Sequence, residues 1–483
     1  PLLARADVNP AHTWDVASVL ATPADWDAGV QALFARIPAV QALQGTLATG
    51  PESLLAGLTA IEEFVHAVQV AAMYASIEYT VDTNDQERAA RAGLSRSLEG
   101  AARGAISFRD PELMAIGFDT LRVWMQEEPR LAQYAQFFRK LEEIAAHVRS
   151  AEVEELLGMA LDAFATTSDT HSILTNSEMK FAPAVSSTGM KSEIAQGTIG
   201  GLITDADRET RRSAWENYAD AHLEFKNTQA NCLAGSIKQS VFLARARRYP
   251  TALSAALGAN LIPETVFHTL IETYKKNLPT WHRYWRIRRK AMGLETLHEY
   301  DIKGPLTQNK PVVPFEQAVE WICAGMAPLG VEYVSTVRRG CLEERWVDIY
   351  PNKGKGAGAY SYGAYGTHPF IFMSYSDDLF SLSTLAHELG HSMHSWLTWK
   401  HQPHTYSDYA LFVAEVASNF NQVLVRDYLF RTQPDRDFQI AMIEEAMSNF
   451  HRYFFIMPTL ARFEYETHSR VERNKSLTAD GMT

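Results

Sequence analysis

The sequence predicts a mainly α-helical fold with a small β-sheet, and three observations support this prediction. Apolar residues recur at three- and four-residue spacing over most of the 483-residue chain, as in amphipathic helices. Asp110-Pro111 and Glu128-Pro129 are typical helix starts, because proline fits the first helical turn. Short aromatic and β-branched runs, which are typical of strands, cluster between residues 345 and 375.

In the first third of the chain, the apolar spacing predicts one helix after another. These helices cover residues 51–76, 85–105, 111–126 and 129–163. Between Glu178 and Thr204 the sequence becomes richer in glycine, which predicts a short hairpin or loop. We therefore predict two domains, an N-terminal helical lobe at 1–175 and a second domain at 176–483.

Helices also dominate the predicted second domain. Asp205 or Asp207 is expected to cap a long helix that ends near Arg248. Further helices are predicted at 263–278, 281–292, 314–329, 381–400, 409–430 and 436–473. Two candidate strands, at 345–350 and 369–375, flank a glycine-rich loop, so the small sheet comes just before the helix at 381–400.

Composition excludes several classes of protein. The chain has 45 Lys and Arg against 57 Asp and Glu, and this net charge of −12 argues against a protein that binds nucleic acid by neutralising phosphates. No apolar run reaches the roughly 18 residues of a membrane span, so we expect no membrane partner. Cys232, Cys323 and Cys341 are too few and too far apart for a disulfide framework. These observations predict a globular, cytoplasmic protein.

One segment has the composition of a nucleic-acid-binding surface. The run from Trp281 to Lys290 mixes aromatic and basic side chains, a combination that can stack on bases and contact phosphates. On a helix, we expect these charges to form a solvated face beside buried Trp281 and Trp285. Given the negative net charge as well, we expect no nucleic-acid partner.

The strongest functional signal is the segment His387-Glu388-Leu389-Gly390-His391. Residues four apart share one face of a helix, so the two imidazoles can bind one metal ion. Glu388 lies beside them and can act as a general base toward water at that metal. The alternative interpretation is a surface helix with two unrelated histidines.

The flanking residues support a helix at this position. Ser381 or Ser383 can cap its N-terminus. An apolar stripe runs along the side opposite the histidines and consists of Leu385, Leu389, Met393 and Trp396.

A catalytic zinc ion usually has three protein ligands, and Glu415 is the best third candidate. His394 shares the helix face but lies roughly 10 Å along the axis from His387, too far for the same ion. Glu415 lies in an apolar helix that we expect to be buried, where a lone carboxylate is costly unless it is paired or binds a metal. The alternative is a Glu paired with a core Arg or Lys. Asn419 and Gln422 follow on the same face and are weaker candidates to hydrogen-bond the ligands.

The segment before this helix has features of a peptide-binding surface. Glycines between Tyr350 and Tyr360 allow a close backbone approach, and an exposed strand edge here can pair with an extended peptide. A phosphate-binding loop is the alternative, but the GxxxxGK[ST] pattern is absent from the sequence.

Several segments together resemble the oligoendopeptidase F branch of the thimet-oligopeptidase-like zinc peptidases. The most specific are His387-Glu-Leu-Gly-His-Ser-Met-His-Ser395 and Phe412-Val-Ala-Glu-Val-Ala-Ser418. The others, in the order expected for the family, are the helical stretch 205–300, Asp348-Ile-Tyr-Pro-Asn-Lys-Gly-Lys355, Gly358-Ala-Tyr-Ser361 and Pro369-Phe-Ile-Phe372. The resemblance covers most of the chain.

The resemblance implies a large, mainly α, two-lobed peptidase fold that encloses a substrate channel, with the small β-sheet beside the zinc helix. It implies one Zn2+ per chain, bound by His387, His391 and Glu415. Glu388 would be the general base and then the proton donor to the leaving amine. The implied function is that of a cytoplasmic zinc metalloendopeptidase, which hydrolyses internal peptide bonds of short peptide substrates.

Two departures from the family pattern bear on activity. Gln422 stands where many relatives have Glu. In the family, the Tyr and His residues that stabilise the oxyanion lie in a later segment, whereas this sequence stops at Thr483. We therefore expect a longer protein, or a separate C-terminal polypeptide as a partner that completes the fold. The alternative function is a catalytically weakened zinc protein that binds peptides.

Overall fold

The computed structural model describes residues 3–307 and 311–482. It is mainly helical, as predicted. Up to residue 173 the α-helices are α1 (Pro23–Gln41), α2 (Pro51–Thr80), α3 (Gln86–Ala105), α4 (Arg109–Ile116), α5 (Phe118–Glu127), α6 (Ala135–Ile144) and α7 (Ala151–Ile173). The single helix predicted at 111–126 is divided into α4 and α5 because Gly117 between them adopts a positive φ of 88°.

Helix α2 lies at the centre of the N-terminal core. Its buried side chains include Leu54, Leu58 and Phe64. The Trp26 indole Nε1 of α1 donates a hydrogen bond of 2.8 Å to the carbonyl oxygen of Ala71, which joins α1 to α2. By length and composition α2 could also cross a membrane, but most of its large apolar side chains are buried inside the protein. This burial is typical of a core helix.

The middle of the chain contains a short hairpin and further helices. These elements are β1 (Ala184–Val185), β2 (Lys191–Ser192), α8 (Ile199–Leu202), α9 (Arg208–Glu224), α10 (Lys226–Ala246), α11 (Ala252–Gly258) and α12 (Glu264–Ala291). The predicted hairpin is the antiparallel pair of β1 and β2. Asp207 caps α9, but the long helix predicted from there is wrong, because Phe225 leaves helical conformation between α9 and α10.

The next segment carries the histidine motif and the small sheet. Its elements are α13 (Phe315–Gly325), α14 (Val331–Leu342), β3 (Val347–Asp348), β4 (Tyr360–Tyr362), β5 (Phe370–Phe372), α15 (Leu379–His401) and α16 (Leu411–Thr432). The strand order is β3–β5–β4, with β3 parallel and β4 antiparallel to the central strand β5. The sequence predicted β3 and β5 but not β4, which lies within the glycine-rich loop. Within the described residues, β5 is paired on both sides, so β3 and β4 are the edge strands. The outer side of β3 is covered by backbone hydrogen bonds from Asp15 to Arg345 and from Ile349 to His12, which leaves β4 as the strand with a free edge.

Helices α17 (Arg436–His451), α18 (Met457–Glu472) and α19 (Ala479–Met482) follow. A π-helical turn at Arg452–Ile456 separates α17 from α18, where the sequence predicted one helix. Trp281 of α12 is buried here and stacks on Phe455, with ring centroids 4.6 Å apart. Arg288 is also buried and pairs with Glu444 at 3.0 Å. Part of the aromatic and basic run in α12 is therefore used for packing.

The chain folds into two compact units, each built from two stretches of sequence. One unit contains Pro1–Ala160 and Val312–Thr432, and the other contains Leu161–Pro311 and Gln433–Thr483. His387, His391, Glu388 and Glu415 all belong to the first unit. The predicted domains, 1–175 and 176–483, stay a prediction. Residues 1, 2, 308–310 and 483 lie outside the described residues.

Candidate metal centre

Helix α15 presents both motif histidines on one face. It begins at Leu379, where the carboxylate of Asp378 accepts a hydrogen bond from the amide of Ser381. The cap predicted at Ser381 or Ser383 is therefore wrong, because the helix begins earlier and Asp378 caps it. Leu385, Leu389 and Met393 are fully buried, so the predicted apolar stripe fixes the helix in the core and leaves His387 and His391 toward α16.

Helix α16 approaches α15 closely because of a glycine within the histidine motif. A Cβ atom on Gly390 would lie 2.5 Å from the Cα atom of Ser418 and 2.8 Å from the carbonyl oxygen of Ala417. On the other side, a Cβ atom on Gly325 of α13 would lie 2.8 Å from the Cα atom of Val425. Helix α16 is thus packed backbone to backbone between two glycines, and this packing brings Glu415 to the histidines.

The three predicted ligands converge on one point. The Nε2 atoms of His387 and His391 are 3.2 Å apart. Oε2 of Glu415 lies 3.4 Å from His387 Nε2, and Oε1 of Glu415 lies 3.8 Å from His391 Nε2. Ligands about 2.0–2.2 Å from a tetrahedral metal ion are roughly 3.3–3.6 Å from one another. The donor set and its spacing therefore fit a single divalent cation such as zinc.

A hydrogen bond to Gln422 orients His387. Nδ1 of His387 lies 3.1 Å from Oε1 of Gln422, and Nε2 of Gln422 donates to the hydroxyl of Ser383 at 2.8 Å. Because the amide nitrogen of Gln422 faces Ser383, its oxygen faces the imidazole, and His387 Nδ1 carries the proton. Nε2 of His387 is then left with its lone pair toward the other ligands, which is the form that binds a metal.

His391 is also held in the neutral, metal-binding form. Burial lowers the pKa of His391, and the neighbouring His387 lowers it further. The ring also makes a hydrogen bond with the backbone of Ala414 in the first turn of α16. Each histidine therefore uses one nitrogen to contact α16 and presents the other to the shared point.

Glu388 is buried, with only 5% of its surface exposed. Burial, together with the nearby charge of Glu415, raises the pKa of Glu388 to about 8. Its carboxylate accepts a hydrogen bond from the backbone of Ser361 in β4, whereas Oε2 has no hydrogen-bond partner among the described residues. A buried carboxylate oxygen without a partner is costly, which is typical of a group arranged for chemistry.

Strand β4 is tied to α15 by a contact that the sequence did not predict. The hydroxyl groups of Ser361 and Ser392 are 2.8 Å apart, and Ser392 is fully buried. The Ser392 hydroxyl also donates to the carbonyl oxygen of Glu388 at 2.9 Å. No pattern in the sequence pairs two serines 31 residues apart, so this link becomes visible only in the structure.

Two expectations about the neighbours of the site are wrong. Helix α16 is not buried all round: Phe412, Val416 and Phe420 are 70%, 56% and 52% exposed, and the Glu415 side chain is 45% exposed. Glu415 is therefore at the site because of helix packing rather than because a buried carboxylate needs a partner. Asn419 bonds the backbone oxygen of Glu415 within its own helix and does not contact the histidines.

His394 stays outside the cluster, as predicted. Its ring stacks on Tyr409 with centroids 3.7 Å apart, and burial lowers its pKa. Among the described residues, the group of metal-binding side chains within reach of one ion consists of His387, His391 and Glu415.

Comparison with known proteins identifies the family. A profile of Peptidase family M3 matches residues 202–482, more than half of the chain, and a profile of Oligopeptidase F matches residues 112–181. The chain belongs to peptidase family M3. This M3 protein is therefore a metalloendopeptidase, and its family implies a divalent metal ion. The resemblance drawn from the sequence motifs is confirmed.

Individual relatives match this M3 peptidase over almost its whole length. It is 33% identical over 480 residues to Oligopeptidase PepF of Bacillus subtilis (strain 168), a match that covers 99% of this chain and 72% of the relative. It is 32% identical to Group B oligopeptidase PepB of Streptococcus agalactiae, over 99% of this chain and 79% of the relative. The crystal structure of oligoendopeptidase-F from Enterococcus faecium superimposes with a TM-score of 0.72 at 26% identity, covering 94% of this chain and 77% of that chain.

Proposed function

We propose that this M3 peptidase hydrolyses internal bonds of short oligopeptides, with one Zn2+ held by His387, His391 and Glu415 and with Glu388 as general base. The convergence of these three ligands, with atoms 3.2–3.8 Å apart, is the observation that carries the proposal. The names of the relatives, which include oligopeptidases and oligoendopeptidases, support the substrate class.

When bound, a zinc ion supplies Lewis-acid chemistry, since it polarises a carbonyl oxygen and increases the acidity of water. The ligand residues present lone pairs for this ion, because the second nitrogen of each histidine is already hydrogen-bonded. Gln422 and the backbone of Ala414 thereby keep both rings in the correct orientation.

Glu388 is proposed to move the proton. Its Oε2 has no hydrogen-bond partner within the described part of the chain. This oxygen can therefore accept a proton from water and then donate it to the leaving nitrogen. The charge of Glu415 is one cause of the raised Glu388 pKa. A divalent cation on Glu415 would offset that charge, so it would lower the Glu388 pKa and favour the carboxylate form of the base.

The free edge of β4 is proposed to bind the peptide main chain. Among the described residues, β4 pairs with β5 on one side only, and its Ser361 makes a backbone hydrogen bond with Glu388. An extended peptide that pairs with this edge would run beside the general base. This arrangement would place a main-chain carbonyl near Glu388 whatever the side chains of the peptide.

Cleavage of a quenched fluorescent oligopeptide by purified protein, with and without a metal chelator, tests this function. We expect chelation to abolish cleavage and added zinc to restore it. Glu388→Gln should lower kcat by about 10²–10⁴-fold without loss of bound zinc. Exposed Glu343→Gln is the matched control and should retain full activity. Equal cleavage by the wild type and Glu388→Gln would refute the assignment of the base.

A further inference from the structure

The loop between the two helices of the metal centre is anchored on the N-terminal helices. This loop, which we call the connecting loop, consists of residues 402–410 and joins α15 to α16. It therefore leads from the helix of His387 and His391 to the helix of Glu415. Two of its side chains, His404 and Tyr406, contact helices that are far away in the sequence.

Tyr406 holds the connecting loop at the start of α6. Its hydroxyl oxygen accepts hydrogen bonds from the backbone amides of Gln136, at 3.0 Å, and Phe137, at 3.3 Å. The first amides of a helix have no acceptor within the helix, so they need one from outside. Tyr406 provides that acceptor from 270 residues away in the sequence.

His404 holds the connecting loop on α2. Its Nδ1 lies 3.3 Å from Oε1 of Glu62, and its Nε2 lies 3.3 Å from Oε1 of Gln69. The other carboxylate oxygen of Glu62 accepts a hydrogen bond of 2.9 Å from the hydroxyl of Tyr134. The His404 side chain is only 15% exposed, so this contact is shielded from solvent. Both ring nitrogens are thus engaged by one face of α2.

The first turn of α16 has few contacts of its own that could fix its position. Leu411 and Phe412 are 71% and 70% exposed, and Ala414 is the buried residue of this turn. The last residues of the connecting loop are instead tied to α15, because the Tyr409 hydroxyl lies 2.8 Å from that of Ser395 and donates to the carbonyl oxygen of His391 at 3.3 Å. The crossing at Gly390 and the hydrogen bond between His391 and Ala414 fix α16 from one side. The position of Glu415, one residue beyond Ala414, therefore depends in addition on how the loop is held.

We infer that His404 and Tyr406 are positioning residues for the metal ligand Glu415, and that α2 and α6 thereby control the metal affinity of the site. In the described part of the chain, neither residue contacts the metal-binding cluster. Each fixes the connecting loop, which in turn fixes the first turn of α16. The part of the inference that concerns metal affinity rests on the proposed function.

The effect on metal binding should be smaller than that of a direct contact. Loss of a group hydrogen-bonded to a ligand typically weakens metal binding roughly 10- to 100-fold. His404 and Tyr406 act one step further out, so we expect about 3- to 10-fold weaker zinc binding for each. Since both act through the same loop, the double variant should lose less than the product of the two single effects.

The test uses the full chain and the variants Tyr406→Phe and His404→Ala. Tyr274→Phe is the matched control, because it also removes one hydroxyl hydrogen bond, to Thr459 at 2.7 Å, at a site far in the sequence from the loop. Zinc affinity is measured by competition with a chromophoric chelator. Amide hydrogen exchange of residues 411–416 is measured on the metal-free chain. We expect both variants to exchange faster in this segment and to bind zinc more weakly, while Tyr274→Phe changes neither quantity.

Unchanged exchange at 411–416 together with unchanged zinc affinity in both variants would overturn the inference. Faster exchange throughout the chain, rather than in this segment, would also overturn it, because the two residues would then serve general stability. If the wild type itself bound no zinc while exchange at 411–416 still rose in the variants, the proposed function would fail and the anchoring of α16 would stand.

Discussion

A Cβ atom on Gly390 would lie 2.5 Å from the Cα atom of Ser418, closer than real side chains approach a backbone. Gly390 directly precedes His391, and Ser418 lies one helical turn after Glu415. The two helices that carry the proposed ligands therefore cross in direct backbone contact at the motif itself. The distance between His391 and Glu415 depends on the absence of a side chain at residue 390.

Replacing this glycine should damage the metal centre. Gly390→Ala forces a methyl group against the α16 backbone, which can relieve the overlap only by moving away. We expect zinc binding to weaken at least tenfold and the free energy of unfolding to fall by about 1–3 kcal/mol. Chelator competition and chemical denaturation measure these two effects.

Gly100→Ala is the control for this substitution. Gly100 lies inside α3 with no atom within 4 Å of an added Cβ atom. Alanine there should stabilise the protein by roughly 0.5–1 kcal/mol, since alanine is the better helix former. If Gly390→Ala behaved like Gly100→Ala, the close helix crossing would not be a requirement of the site.

The hydrogen bond between Gln422 and His387 should tune metal affinity. Gln422→Ala removes the acceptor for His387 Nδ1, and we expect about 10- to 100-fold weaker zinc binding. Gln422→Glu places a charged acceptor there, which makes the imidazole a stronger ligand, so zinc binding should tighten. Asn419→Ala, on the same helix but without contact to the histidines, should leave the affinity unchanged. Equal zinc affinity in all three variants would contradict the role of Gln422.

Asp301 should make the second compact unit sensitive to acid. Its carboxylate is fully buried and accepts hydrogen bonds of 2.9 and 2.8 Å from Arg208 and 3.3 Å from Arg211. Burial alone would raise the pKa of Asp301, but the hydrogen bonds from Arg208 and from the amide of His298 hold it below its usual range. Asp301→Asn removes the negative charge and replaces one accepting oxygen with an NH2 group, which faces the guanidinium donors of Arg208 and Arg211. We expect a loss of about 3–5 kcal/mol at neutral pH.

The pH dependence of this loss follows from the sign of the pKa shift. A carboxylate with a lowered folded-state pKa contributes its full stabilisation above the unfolded-state value of about 3.9 and loses it as the pH falls through the folded-state value. The difference in unfolding free energy between the wild type and Asp301→Asn should thus be constant near neutral pH and shrink below about pH 4. Urea denaturation at neutral, mildly acidic and strongly acidic pH measures it. A difference that grew toward low pH would contradict this account.

Zinc should stabilise the folded chain through the three ligands. A ligand at about a thousand times its dissociation constant adds about 4 kcal/mol to the free energy of unfolding. We therefore expect a higher melting temperature with zinc and no such increase for Glu415→Gln. An equal increase for Glu415→Gln would mean that zinc stabilises the protein elsewhere.

The sequence alone predicted the mainly helical fold and the proposed residues of the site, because both depend on local spacing. The period of apolar residues predicted α15, and the four-residue spacing of His387 and His391 predicted two metal ligands on it. The structure brings Glu415 beside both histidines, although the argument that supported its choice, a buried helix, was wrong. Helix α16 exposes Phe412 and Val416, which apolar composition alone could not reveal.

The remaining features depend on contacts between residues far apart in the sequence. The contact of His404 with Glu62 spans 342 residues, and nothing in either segment indicates the other. Strand β4 was hidden because its glycine-rich surroundings are typical of a loop, and its pairing with β5 depends on tertiary packing. The close crossing at Gly390 was likewise missed, although a glycine inside a helix is a signal for such an approach.

The metal content of the purified chain tests the central claim most directly. We predict one zinc per wild-type chain by elemental analysis after dialysis, with the metal lost in His387→Ala, His391→Ala and Glu415→Ala. His394→Ala is the matched control, because His394 shares the helix but stacks on Tyr409 outside the cluster, and it should keep its zinc. A wild-type chain without bound metal, or the same zinc content in all four variants, would contradict the account.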